Sequence, residues 1–373
     1  MIKVMHILTD SNIGGAGRLL INYLHNFDRS QFEIAVVLPK DAALKPLVEA
    51  EGYPVLEMEN GRDKSFDVAA VGELKRMMRR WKPDIVHTHS SFSGKLAAWL
   101  CGVPKRFYTR HCAFEPPKKL TTFPGRQING WVNNTLATHI VAVAQAAKDN
   151  LTDTGVNGDK VTVIINGVEP MRETAEEEQA ALRQSLGIEA DDFVCGISAR
   201  LEDYKGHTYL LQAAARLKES HPQLKYLIIG GGSEEAALKA EAEALGIMDI
   251  VRFTGFVYDV APYYNIMNLS INCSIGTETS CLALSEGYSL GIPAVASDFG
   301  GNPYMVTDDW NGYLVPQRNP AALAEKISMI ADDADLYRKL CIGAEESYGK
   351  KFTASAMTRQ MEALYRKAVS DKK

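Results

Sequence analysis

Short apolar runs, each closed by glycine, proline or aspartate, alternate with helix-length amphipathic stretches along the chain, in two successive series. The first series predicts strands at 2–8, 32–38, 54–58, 84–88, 105–110, 139–144 and 161–165, with helices at 17–26, 68–81 and 92–101 among them. The second predicts strands at 193–198, 226–230, 251–253, 269–274 and 294–297, with helices at 205–219, 234–245 and 321–331. Strands rich in Val, Ile and Leu on both faces must be covered on both faces, and helical crossovers between them make them parallel. The expected fold class is therefore α/β, with two Rossmann-like, doubly wound parallel-sheet domains. At 373 residues the chain is long enough for each to have its own core.

Asn166-Gly167-Val168-Glu169-Pro170 and the charged stretch 172–179 separate the two series. The expected organisation is a first domain over 1–168, a linker over 169–190 and a second domain over 191–350. An amphipathic helix at about 352–370 is expected to pack back on the first domain. Doubly wound domains bind ligands at the carboxyl ends of their strands, so a cleft lined by those ends is the expected binding site.

An apolar share of 46% and a charged share of 23% are ordinary for a soluble globular chain. No apolar run reaches the roughly 18 residues of a membrane span. The chain opens directly on a buried-strand pattern, so no signal peptide is expected. The six cysteines include no Cys-x-x-Cys pair, which predicts reduced, mostly buried thiols in a cytoplasmic protein. Charge is unevenly divided. Residues 1–170 carry +4 (21 basic, 17 acidic) and residues 171–373 carry −9 (20 basic, 29 acidic). Arg76, Arg79, Arg80, Lys82, Lys118 and Lys119 in the first half fit either a solvated helix face or peripheral contact with an anionic inner membrane face or acceptor. Overall acidity and the lack of a known motif argue against nucleic acid.

Chemistry gathers at the predicted strand ends. Gly14-Gly15-Ala16-Gly17-Arg18 after the first strand allows backbone N–H groups to approach a phosphate at a helix start. Ser198-Ala199-Arg200-Leu201-Glu202-Asp203-Tyr204-Lys205-Gly206 offers a guanidinium fork and an ammonium, a pair suited to a diphosphate, with a surface salt bridge to Glu202 or Asp203 as the alternative. Gly230-Gly231-Gly232 also permits close approach. Glu278 and Glu286 flank Thr279-Ser280-Cys281-Leu282, the first expected just before a helix and the second about two turns inside it. A buried carboxylate needs a partner, so hydroxyls or cations should meet them. His87, His89 and His111 follow strands in the first half, and at least one functional histidine is expected there. Read as pointing to alternate faces, His87 and His89 are not expected to share an ion, and no metal site is assigned.

In this order and spacing the motifs resemble those of the family 4 retaining nucleotide-sugar glycosyltransferases, which have the GT-B fold. The resemblance covers nearly the whole chain. It rests on the glycine turn at 14–17, Val86-His87-Thr88-His89, Tyr108-Thr109-Arg110-His111, Asn166-Gly167-Val168, Arg200 with Lys205-Gly206, Gly230-Gly231-Gly232, Phe253-Thr254-Gly255-Phe256 and Glu-x7-Glu. It implies an acceptor-side first domain and a second domain that binds the nucleotide sugar. Arg200 and Lys205 would hold the donor diphosphate, Glu286 the ribose and Glu278 the donor sugar. Gly14, Gly15, Gly231, Ser280 and Leu282 would line the donor, and His111 would reach the transferred sugar. His111, Arg200, Lys205 and Glu278 are the implied catalytic set. No bound cofactor or metal is implied. A UDP-sugar is the expected donor, and a cell-surface glycan or lipid-linked molecule the expected acceptor.

Thr279-Ser280-Cys281 stands where the family commonly has Gly-Phe-Gly, Tyr304 where it has Glu, and Glu169 where it has Asp. The first two departures bear on the identity of the sugar. A nucleotide-sugar 2-epimerase of the same fold and a catalytically silent nucleotide-sugar-binding subunit are the alternatives.

Overall fold

The computed structural model of the chain describes residues 1–112 and 116–371. The described residues form two compact units, Met1–Val168 with the C-terminal helix Ala354–Ser370, and Glu169–Thr353. The first contains β1 (Ile2–Leu8), β2 (Phe32–Pro39), β3 (Val55–Met58), β4 (Ile85–His89), β5 (Lys105–Arg110), β6 (His139–Ala142) and β7 (Val161–Val163). They pair in the order β3-β2-β1-β4-β5-β6-β7, all parallel. One face is covered by the helix Gly15–Asn26, whose Leu19, Leu20 and Tyr23 share a core with Met357, Met361 and Tyr365 of the C-terminal helix. The opposite face packs Met5 and Val86 against Leu74 and Met78 of the helix Val68–Trp81.

The second unit contains β8 (Phe193–Ser198), β9 (Leu224–Ile229), β10 (Val251–Gly255), β11 (Leu269–Asn272), β12 (Ala294–Ser297) and β13 (Gly312–Val315). Their order is β10-β9-β8-β11-β12-β13, again all parallel. The two-domain parallel α/β expectation therefore holds. Sequence reading missed β13, a four-residue strand whose Gly312 cannot carry a side chain because a Cβ there would meet Ala294 O at 1.9 Å. In sequence between the two series of strands, residues 176–186 form the helix Glu176–Leu186, which belongs to the second unit and packs on its helix Ala261–Asn265.

In each sheet the order in which strands are added reverses between its first and fourth strands, β1/β4 and β8/β11. Such reversals splay the flanking connections and leave a crevice at the carboxyl edge. The strand-end motifs at 14–17, 87–89, 111, 200–206, 230–232 and 278 lie at or follow the carboxyl ends of strands in these two sheets. No helix among the described residues is long and apolar enough to cross a membrane. All six cysteines are free thiols.

Candidate active site

In the second unit, the loop after β8 and the loop after β11 are stitched together at the switch point. Ile275 and Gly276 donate their N–H groups to Tyr204 O at 2.9 and 3.2 Å. Gly206 has φ +69°, and a Cβ there would lie 2.2 Å from Cys273 O, so glycine is what permits this approach. The result is a buried ion pair, with Lys205 Nζ 2.9 Å from Glu278 Oε2 and the two side chains only 18% and 6% exposed. Ser274 Oγ (2.9 Å) and Asn272 Nδ2 (3.1 Å) donate to the same oxygen. Burial is the largest single influence and would lower the Lys205 pKa, but the charge and hydrogen bond of Glu278, with smaller contributions from Cys281 and Tyr204, together hold the ammonium charged above its usual range.

Arg200 is exposed at the same edge, and its Nη2 donates to Tyr204 Oη at 2.6 Å. Among the described residues it pairs with no carboxylate, so the salt-bridge alternative with Glu202 or Asp203 is not what the structure contains. The carboxylate demand expected at Glu278 is met within the unit, by Lys205, Ser274 and Asn272. Asn272 and Ser274 were missed by sequence reading. Their only signal was a polar residue closing an otherwise apolar strand. Asn302 is fully buried and donates to Asn272 Oδ1 at 3.3 Å and to Ser297 O at 3.0 Å, extending the network.

The helix after this loop is Leu282–Tyr288, later than expected, so Glu286 lies in its second turn rather than about two turns in. Tyr264 Oη donates to Glu286 Oε2 at 3.3 Å. The main chain at 278–279 is pressed by the following glycines. A Cβ at Gly300 would meet Glu278 O at 2.0 Å, and one at Gly301 would meet Thr279 O at 1.8 Å. Ser280 Oγ is buried without a hydrogen-bond partner among the described residues, while the Cys281 thiol is pushed up to about 12 by burial and by Glu278 beside it. Cys281 is therefore a protonated packing group at neutral pH and not a nucleophile.

The glycines divide by what surrounds them. Side chains at Gly230 or Gly232 would collide with Ala199 O or Leu201 O, whereas one at Gly231 would meet nothing closer than 3.5 Å. Gly15, at the start of the helix Gly15–Asn26, has nothing within 4 Å of a Cβ, and Gly14 only Asp10 Oδ2 at 3.5 Å. Packing explains the first pair and does not explain Gly14, Gly15 or Gly231.

In the first unit, His87 and His89 do not point to alternate faces. Residues two apart on a strand share a face, and the two rings lie 4.6 Å apart at 18°. His87 is tied into the core, with Nδ1 2.5 Å from Tyr365 Oη and Nε2 2.6 Å from Thr109 Oγ1. His89 contacts His6 Nδ1 at 3.1 Å and His111 Nε2 at 2.9 Å, and His111 is partly exposed just beyond β5. Ring nitrogens of His6, His87 and His89 fall within 4.8 Å of one another, the separation a metal ion would need. Both nitrogens of His87 and both of His89 are already engaged in hydrogen bonds, so this set does not offer three free lone pairs to one ion.

Two family models match the chain. Glycosyltransferase Family 4 covers residues 13–172, and Glycosyl transferases group 1 covers residues 178–346. The Bacillus subtilis protein EpsD is 28% identical over 357 residues, covering 92% of this chain and 91% of its own. A UDP-Gal:alpha-D-GlcNAc-diphosphoundecaprenol alpha-1,3-galactosyltransferase of Escherichia coli is 24% identical over 346 residues, covering 89% and 88%. In fold, the chain is similar to Anabaena HepE solved in complex with UDP, with a TM-score of 0.84, 22% identity and coverage of 98% and 100%.

Proposed function

Because this chain belongs to the group 1, family 4 glycosyltransferases, we propose that it transfers a hexose-type sugar, with retention, from a UDP-sugar to a cell-surface glycan or a lipid-linked acceptor. The observation that carries this reading is the Lys205–Glu278 pair at the β8/β11 switch point, beside an Arg200 that no carboxylate among the described residues neutralises. A glycosyl transition state is oxocarbenium-like, so the departing diphosphate gathers negative charge. Arg200 and Lys205 would stabilise that charge without a bound metal, acting where it develops rather than where it starts. Glu278 would receive the donor sugar's hydroxyls and Glu286 those of the ribose. Leu282 and Ser280 would line the donor, and Gly14, Gly15 and Gly231 would leave room for it. His111 would contact the transferred sugar. The solved relative's UDP supports a uridine donor.

The test is a thermal-shift screen of nucleotide sugars followed by a transfer assay with and without acceptors. The cognate donor at 100 times its dissociation constant should stabilise the fold by about 2.7 kcal/mol. Stabilisation by no nucleotide sugar would remove the proposal, and donor turnover to an epimer without an acceptor would favour the 2-epimerase alternative.

We also propose peripheral contact between the first unit and an anionic membrane on its cytoplasmic face. Phe123 (81% exposed), Ile128 (58%) and Trp131 (70%) project from and beside the helix Gly125–Leu136, close in sequence to Lys118, Lys119 and Arg126. Exposed aromatic and aliphatic groups with adjacent cations fit an interfacial helix. The lipid-linked substrate in the Escherichia coli relative's name is consistent with such a location. Arg79 and Arg80 carry less of this argument, since the last turn of the helix Val68–Trp81 favours cations by itself. Co-sedimentation with anionic vesicles should fall as salt rises and should drop in Ile128→Ser/Trp131→Ser. No binding at low salt would favour a soluble acceptor.

A further inference from the structure

His6, His89 and His111 form a continuous chain of imidazoles at the switch point of the first unit. The N···N distances are 3.1 Å from His6 Nδ1 to His89 Nε2 and 2.9 Å from His89 Nδ1 to His111 Nε2. The ring centroids are 5.4 and 5.2 Å apart, in each case 2.3 Å more than the N···N distance, and the ring planes differ by only 22° and 23°. That excess is one ring radius at each end. The rings therefore lie end to end and nearly coplanar, so each N–H points along the next ring's lone pair.

Burial pushes the pKa of His6 down to about 3 and that of His111 down to about 4. Burial first, then its histidine neighbours, hold His89 well below the ordinary range. All three are neutral near pH 7. A neutral imidazole carries one proton and one lone pair, so the direction of donation at one end of the chain fixes every ring in it.

His6 is the end that decides. Its Nε2 is buried with no hydrogen-bond partner among the described residues, and the rings of Phe27 and Tyr365 lie beside it. Main-chain N–H groups are left unpaired in proteins less often than acceptors, and we carry the same preference over to the His6 ring. That preference puts the His6 proton on Nδ1, donated to His89 Nε2. His89 must then donate from Nδ1 to His111 Nε2, and the His111 proton is left on Nδ1.

We propose that His6 and His89 are positioning residues that lock His111 in its Nδ1–H tautomer, so that His111 offers the transferred sugar a hydrogen-bond donor and not a base. The contact with sugar rests on the functional reading above, whereas the lock rests on the chain alone.

Long-range ¹H–¹⁵N correlation spectra of the full-length, histidine-labelled protein read the tautomer directly, with His111 assigned by its disappearance in His111→Asn. In the wild type, a protonated Nδ1 and a bare Nε2 are expected for His111. A protonated Nε2 overturns the proposal without any variant. His89→Phe keeps a ring in place but cuts the chain, and should let His111 move toward the Nε2–H form. An unchanged tautomer would overturn the lock. In the transfer assay His89→Phe should lower kcat about tenfold and leave nucleoside diphosphate affinity unchanged. His111→Asn, whose amide can place an N–H near the position of Nδ1, should retain more turnover than His111→Ala, and what it retains should not fall further when His89→Phe is added. Turnover lost as fully in His111→Asn as in His111→Ala would overturn the donor role. The expected tautomer combined with normal transfer in His111→Ala would sink the sugar contact, a failure of the functional reading, and leave the lock standing.

Discussion

Lys205→Ala is expected to remove most sugar transfer and, separately, to destabilise the second unit. The first effect follows from the proposed role. A hydrogen bond to a charged group contributes about 1.5–3 kcal/mol, and one that strengthens as the diphosphate departs appears mainly as a 10- to 150-fold loss of kcat, to order of magnitude. The second follows from geometry, because the substitution leaves the Glu278 carboxylate buried without its cation. Removing one partner of a fully buried pair costs about 3–5 kcal/mol, and the partial exposure of Lys205 brings the expectation to roughly 1–3 kcal/mol. Ser274 and Asn272 still donate to the remaining carboxylate and soften the loss. The two effects separate in the double variant Lys205→Ala/Glu278→Gln. A neutral side chain at 278 removes the uncompensated charge, so the urea midpoint should recover while turnover stays low. Arg200→Ala is the matching control. It should lose turnover with little change in stability, since Arg200 is exposed and holds only Tyr204 Oη. Near-normal turnover in both single variants would sink the diphosphate assignment.

The fold was legible because it depends on short-range pattern. Apolar runs and their glycine or aspartate stops marked twelve strands, and among the described residues only Gly312–Val315 escaped, where a glycine stands as the first residue of the strand instead of closing the run. Strand-end placement found the switch points, because parallel sheets display functional residues at one edge by construction. What sequence could not supply was pairing between elements. Lys205 and Glu278 are 73 residues apart, and nothing local marks either as the other's partner. The same holds for His6, which reads as one more residue of an apolar strand until β4 is laid beside it with His87 opposite. The misreading of His87 and His89 had a different source. The strand period is two, so residues at i and i+2 face the same way, and the stacked rings follow from it.

The ion pair also changes what the two glutamates should do when removed. Glu286→Ala takes away the proposed acceptor for two ribose hydroxyls. It should weaken nucleoside diphosphate and intact donor alike, by roughly 1.5–3 kcal/mol, or about 10- to 150-fold. Glu278→Ala has a different consequence, because its carboxylate is bound to Lys205 rather than waiting for a ligand. Without it a largely buried ammonium is left needing an anion, and the diphosphate is the anion proposed to reach it. Affinity for the bare nucleotide should therefore stay level or rise, while transfer falls through loss of the proposed sugar contact and of the hydrogen-bonded loop that Asn272 and Ser274 organise. A variant that binds product better and turns over more slowly is the signature of an interaction belonging to the sugar and not to the nucleotide. Calorimetry with UDP, beside kinetics with the cognate donor, distinguishes the two residues. If Glu278→Ala weakens UDP as much as Glu286→Ala does, the carboxylates share one task and this division between sugar and ribose is wrong.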